Sequence, residues 1–503
     1  MKTFPEDVQL KKQTVSDIIF GHRLHGDQTL YEYLIEFLLI FISAKNMNDL
    51  NENGMMRFHE VGEELKYYVK PNIGLKRFIF YDNAKKDKSI SHDEDAYNFL
   101  FSELKKQLDC DEDEADNIIQ AIQDLLRGYA VIMKSRTWCA QQTLPLCPEL
   151  VFCEAMPNQN YRKNKVKSYN DIEIDTSFEF SQRNFLARGG EVYYLHLMQS
   201  LQNQANNEKR KKMNFLLDKL LTEQSGNISN ISKIIQNTWE KIILKNDIDK
   251  RKMYQEFNIT YIPAESYIKC GNYSVDELIN YLSSDFQQIK KVDILAKGVM
   301  FQVMRMMHCA VVEELQIKQY PWILDMTNNT ASVIKKIANN SYKIVENDFK
   351  QAIKKVADKI SNNENIIKNI VDGQKHSLNI FRSKGKELRC IIPIKGSFER
   401  FTLSEDIVRF LVLSLIAPTE KITFEMFLDR LFEHYNIVIG ANQYDKFING
   451  NNNSDDLTIK NSLYENEICF QNFLKSTGFL KELSDSTSLV FNPYNPVEME
   501  DIL

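Results

Sequence analysis

The stretch "SVDELINYLSSDFQQIKKVDILAKGVMFQVMRMMHCAVVEELQI" (274–317) decides the fold class. Its apolar residues recur at the spacing that gathers them on one face of an α-helix. Four methionines, Met300, Met304, Met306 and Met307, sit inside it. Flexible thioethers suit either an adaptable binding surface or a close-packed core, and helical spacing favours the core. The same rhythm continues outward. Residues 210–370 read almost wholly as helix, with "SNISKIIQNTWEKIILK" (229–245) and "ASVIKKIANNSYKIVENDFKQAIKKVADKI" (331–360) the plainest examples. With 17 Gly and 11 Pro in 503 residues, turn-rich β architecture is disfavoured.

Towards the N-terminus, "GHRLHGDQTLYEYLIEFLLIF" (21–41) poses a choice. His22, His25 and Asp27 could be ligands or catalysts, or only the entry to a buried helix. Thr29-Leu30-Tyr31-Glu32 fits a capping box, and Leu30, Leu34, Phe37, Leu38 and Phe41 follow at helical spacing. The histidines precede the helix instead of standing four apart on its face, so turn and cap is the preferred reading. Asp111–Asp116 lacks the glycine and spaced ligands of a calcium loop and reads as a helix start. A loop-rich passage with Pro145, Pro148 and Pro157 follows, and then the helix "RGGEVYYLHLMQSLQNQ" (188–204).

The C-terminal rhythm differs. "KELRCIIPIKGSF" (386–398) reads as a strand pair. "TLSEDIVRFLVLSLIA" (402–417), capped by Thr402 or Ser404, and "TFEMFLDRLFEHYNIVIG" (423–440) read as two helices. A third helix, within "NEICFQNFLKSTGFLKELSD" (466–485) and ending in Gly478, follows the polar insertion 449–456, and "STSLVFNPY" (486–494) returns as a strand. Three helices and a β return is the order of a winged helix. The expectation is a mainly α, multi-domain helical protein with a C-terminal winged-helix-like (α+β) domain. Its divisions are an N-terminal helical domain (1–155), a central helical domain with a basic loop (156–375) and the winged-helix-like domain (385–503). The Asn-rich "SNNENIIKNIVDGQKHS" (361–377) marks the second boundary.

The chemistry the chain lacks narrows its function. It holds no P-loop, no G-x-G-x-x-G after a strand, no H-E-x-x-H and no G-x-S-x-G elbow. Cys139, Cys147 and Cys153 are too widely spaced for a zinc knuckle and have apolar flanks, so buried free thiols are expected. No cofactor and no metal is expected. The alternative is a nuclease with a non-standard carboxylate site built from Asp171, Glu173, Asp175 and Glu191 with Arg188. The start has no apolar secretory core, and the runs 33–44 and 407–417 are too short to cross a bilayer. A cytoplasmic chain with no membrane role follows.

A net charge of −6 excludes a polycation that coats nucleic acid, so contact with phosphate must be local. Three basic islands offer it. Arg162, Lys163, Lys165 and Lys167 lie between Tyr161 and Tyr169, a mixture suited to phosphates and stacked bases. Lys209, Arg210, Lys211 and Lys212 form the second island; Arg382, Lys384, Lys386 and Arg389 form the third. Solvated surface is the plain alternative for each. The third helix of the winged-helix-like domain instead carries Glu465 and Glu467, which would repel phosphates. That argues for a protein-binding module over a base reader, the third option being a winged-helix DNA-binding regulator.

Three stretches resemble uncharacterised prokaryotic anti-phage defence-system subunits. They are "RTWCAQQTLPLCPELVFCEAM" (136–156), "RGGEVYYLHLMQSL" (188–201) and the C-terminal "FLDRLFEHYNIVIG" with "FLKSTGFLKELSD" and "VFNPY". The resemblance implies a setting and no site residue: a bacterial subunit working with other proteins, an ATPase or nuclease among them, on foreign DNA. The expected function is therefore a non-catalytic scaffold or adaptor in such a complex.

Overall fold

The computed structural model describes residues 2–6, 13–50, 56–70, 72–84, 93–132, 141–152, 156–157, 183–184, 189–223, 226–243, 254–327, 332–360, 365–448, 457–484 and 487–498. The protein is mainly α. Its axis is the helix Gln288–Leu315, buried along most of its length. Met300, Met304, Met306 and Met307 all lie inside the core, so the methionines are packing and not surface. Among the described residues this helix is long and apolar enough to span a bilayer, yet 89% of its most apolar window is buried within the chain. It packs against the helices Leu30–Ile42, Ser332–Ile360 and Glu405–Leu415. Gly298 lets the last of these close in, because a side chain there would meet the Phe410 ring.

The N-terminal helix Leu30–Ile42 starts as its sequence requires. The Glu32 carboxylate accepts the Thr29 amide at 2.5 Å. It lies against the helix Gly189–Leu201 closely enough for the Gly190 amide to donate to Glu36 Oε2 at 2.8 Å. At its other end Lys45 is buried, and its ammonium donates to the carbonyls of Phe41 (3.1 Å) and Ser43 (2.6 Å), groups a helix end leaves without partners. Asp111 opens the helix Glu112–Arg127 by accepting from the Glu114 amide at 2.8 Å, so the acidic run is a helix start.

The C-terminal block runs helix Glu405–Leu415, strand Lys421–Thr423, helix Phe424–Tyr435, short helix Ala441–Ile448, helix Leu457–Ser476, and strands Leu480–Ser484 and Thr487–Phe491. The strands form one antiparallel sheet with Thr487–Phe491 in the middle, Val490 facing both Ile422 and Leu480. Ser404 is the first cap residue, and the Thr423 hydroxyl accepts from the Met426 amide at 3.2 Å at the second. Residues 480–484, beyond the expected end of the third helix at Gly478, form a strand. Gly478, at φ 83°, turns the chain out of the helix just before them.

Residues 366–375, within the expected boundary, are helical as Ile366–Lys375. Ile370 packs on the core, and Gly373 brings this helix against Ile353 and Val15. One contiguous apolar cluster extends from Val15 to Val490, across both expected domain boundaries. A parallel strand pair, Trp322–Ile323 with Ile437–Val438, ties the central helices to the C-terminal block.

Candidate functional site

The histidines of 21–41 are structural. His22 is buried with Nδ1 2.8 Å from the Gly21 carbonyl, and His25 sets its edge on His376 at 5.2 Å between ring centroids. Cys147 is buried, and burial pushes its thiol well above the usual range. Cys139 and Cys153 lie outside the described residues, as do Asp171, Glu173, Asp175 and Arg188 of the nuclease alternative. Its remaining member, Glu191, is buried and accepts from the Thr260 amide (2.5 Å) and hydroxyl (2.8 Å). Among the described residues no three His, Cys, Asp or Glu side chains are grouped to hold a metal ion.

The first basic island, Arg162, Lys163, Lys165 and Lys167, lies outside the described residues. The second is largely engaged by carboxylates. Lys209 bridges to Asp276 at 2.7 Å, and Arg210 turns inward to Glu60 and Asn207. Lys211 is exposed, 3.7 Å from Glu208, and Lys212 is half-buried. In the third island Arg382 and Lys386 share Glu399, and buried Lys384 reaches Glu387 at 2.8 Å. Pairing of this kind leaves little free charge to release counterions from a phosphate backbone. Arg389 differs: it is exposed and makes no ion pair among the described residues.

A cleft of about 730 Å³ opens between the N-terminal helices and the helix Gly226–Ile243. Its lining mixes apolar residues with Lys70, Glu149, Asp218, Lys233 and Glu240. Lys70 pairs with Glu240 at 2.6 Å; Glu149 accepts from the Ser229 hydroxyl at 2.9 Å and lies 3.6 Å from Lys233. Burial raises the Asp218 carboxyl. Two of these three carboxylates are thus met by lysines, and the groups set up no nucleophile with a base beside it, the arrangement nucleophilic catalysis needs.

Two exposed features escaped the sequence reading. On the helix Leu457–Ser476, Leu457 (73% exposed), Tyr464 (49%) and Ile468 (58%) stand on one outward face at i, i+7 and i+11, with Glu465 beside them. Lys460 and Lys475 of this helix pair with Asp445 (3.0 Å) and Glu482 (2.8 Å). Glu467 turns in, accepting from the Ala441 amide at 2.8 Å. The second feature is the hairpin Ile391–Ile392 with Arg400–Phe401, whose five-residue tip, Ile394 to Phe398, is wholly exposed. Large apolar residues just after a polar insertion and inside a hairpin turn were the available signals. Comparison with protein-family models, curated proteins and solved structures finds no match to this chain.

Proposed function

We propose that the chain is a non-catalytic scaffold or adaptor subunit of a bacterial multi-protein complex directed at nucleic acid, of the anti-phage defence kind. In this reading the C-terminal block is a winged-helix-like module that docks a protein through its third helix. One observation carries it: the outward face of that helix presents Leu457, Tyr464 and Ile468 beside Glu465, while its lysines are engaged by neighbours. A helix that enters a groove between phosphates needs free cations or amides on that face. Asn461 and Asn472 are exposed there, but Glu465 between them opposes the backbone. The matching partner is a protein surface with an apolar pocket and a cation to meet Glu465.

The test is expression of the tagged full chain in its producing cell, unaltered or as Tyr464→Asp/Ile468→Asp. The expected result is a stoichiometric partner with the unaltered chain that is lost from the double variant, whose unfolding midpoint is unchanged. Equal recovery of the partner with both chains removes the docking surface. DNA affinity that is flat with salt, or absent, removes the nucleic-acid part.

A further inference from the structure

We propose that the hairpin tip from Ile394 to Phe398 binds single-stranded nucleic acid, with Phe398 stacking on a base and Arg389 and Lys395 holding the adjoining phosphates. This rests on the nucleic-acid part of the proposed function and is independent of partner docking by the third helix. Two large apolar side chains, Ile394 (54% exposed) and Phe398 (65% exposed), stand in water at the end of a short turn. Phe398 does so at φ 69°, a left-handed conformation that disfavours bulky residues and is held only where the surroundings impose it.

The surroundings here are rigid. Arg400 Nε donates to buried Asp325 at 2.7 Å, and Phe401 stacks on Trp322 with centroids 4.9 Å apart. Asn339 of the Ser332–Ile360 helix donates to the Glu399 carbonyl at 2.7 Å. The tip is thus aimed outward from a fixed base.

The charge around it is complementary to phosphate. Between Phe381 and Glu399 five Lys and Arg stand against two Glu, on a chain whose net charge is −6. Glu399 is occupied by Arg382 and Lys386, Glu387 by Lys384, and the Glu346 charge acts on Arg382. Arg389 and Lys395 remain, both exposed and without an ion pair among the described residues. Lys395 shares the tip with Phe398 and Arg389 stands at the foot of the same hairpin. An aromatic face and cations along one element is the pairing that strand binders use, because every base has a face to stack and every nucleotide a charge. In a duplex those faces are already stacked, which favours a single strand.

The experiment is fluorescence anisotropy of the full chain with a short labelled oligothymidylate and with a duplex of equal length, across a salt series. Phe398→Gly keeps the left-handed turn and relieves its strain, so the unfolding midpoint is expected to hold or rise. Its affinity for the single strand is expected to fall between about 5-fold and about 150-fold, the range set by removing one base stack, and Phe398→Tyr to restore most of it. Arg389→Ala/Lys395→Ala is expected to flatten the salt slope by roughly 1.4, about 0.7 for each phosphate that is no longer neutralised. Equal affinity of Phe398→Gly and the unaltered chain overturns the tip assignment while leaving nucleic-acid binding in place. Absence of binding to either probe at low salt removes both. An equal loss on the duplex makes Phe398 a wedge between base pairs and overturns the single-strand assignment. Loss of a co-purifying protein with strand affinity intact gives the tip to a protein partner and likewise overturns it.

Discussion

Glu277 and Arg305 meet as a forked ion pair sealed from solvent. Nη1 donates to Oε1 at 3.0 Å and Nη2 to Oε2 at 2.9 Å, with side-chain exposures of 0% and 3%. Burial alone would raise the Glu277 carboxyl, but the Arg305 charge and the His434 hydrogen bond hold it down at about 2. Arg305 also donates to the His434 carbonyl at 2.9 Å. The pair therefore clamps three helices, Ile268–Ser283, Gln288–Leu315 and Phe424–Tyr435. Removing one partner strands a buried charge, so Glu277→Leu or Arg305→Met alone is expected to cost about 3–5 kcal/mol. The double variant should recover most of that loss. Urea unfolding of the four proteins reads the cycle, and single losses below about 1 kcal/mol would show that the clamp is dispensable.

Three buried histidines predict acid sensitivity. His59 lies between the Tyr194 hydroxyl (2.7 Å) and the Lys66 carbonyl (2.8 Å), His196 against Ser274 Oγ (2.7 Å), and His308 accepts from the Trp322 indole (3.0 Å). Burial pushes each ring from 6.5 to about 3, with Lys45 adding to it at His59 and Arg305 at His196. Below pH 6.5 the unfolded chain therefore binds protons that the native rings refuse. Stability is full above that pH and falls as pH drops through the window from 6.5 to 3, by up to about 1.4 kcal/mol per pH unit for each ring. Calorimetric midpoints between neutral pH and about pH 4.5 separate this from Glu277, which titrates lower. A midpoint unchanged across that range would mean that the rings take up protons in place.

Much of this was legible. The 274–317 run, the Glu32 cap and the Asp111 start are local signals, and local structure follows them except at Ser284–Asp285, a short strand that divides the run into two helices. In the C-terminal block Ser404 and Gly478 marked a helix start and a helix end, whereas the strand Lys421–Thr423 and the short helix Ala441–Ile448 were not read. Pairings across the chain were not legible. Nothing near Glu277 announces Arg305, and nothing near Trp322 announces its parallel partner Ile437, since neither contact leaves a periodic trace. The ion pairs of the second and third basic islands were illegible for the same reason: the carboxylates engaging Lys209, Arg210 and Arg382 come from 67, 150 and 17 residues away.

Two glycines set helix spacing. On Gly190 a Cβ would run into the Tyr33 carbonyl and come within 2.7 Å of Glu36 Cβ; on Gly298 it would run into the Phe410 ring. Gly190→Ala and Gly298→Ala are each expected to lose about 1–3 kcal/mol, since the packed neighbours must move. Gly226, with nothing within 4 Å, opens its helix freely, and Gly226→Ala is expected to gain a few tenths to about 1 kcal/mol. Denaturant midpoints of the three variants check the contrast. Gains at Gly190 and Gly298 equal to that at Gly226 would mean that backbone entropy decides and helix approach does not need the glycines.

Lys291 carries the opposite pH signature from an ordinary surface lysine. Its ammonium donates to the carbonyls of Leu282 (2.7 Å) and Ser284 (2.8 Å), closing the end of the helix Ile268–Ser283 from inside the protein. Burial lowers it from 10.5 to about 8, against a smaller upward pull from Asp285. Between those values the native side chain is neutral while the unfolded one still holds its proton, so the unfolded state binds more protons. Stability relative to a Lys291→Met variant should therefore rise with pH from about 8 towards 10, by at most about 1.4 kcal/mol per unit. Comparing variant with wild type cancels the buried tyrosines, which act in the other direction above pH 10. Unfolding free energies of the two proteins measured at pH 7, 8, 9 and 10 give the difference directly. A difference that stays constant would mean that Lys291 keeps its proton and serves as a charged cap throughout.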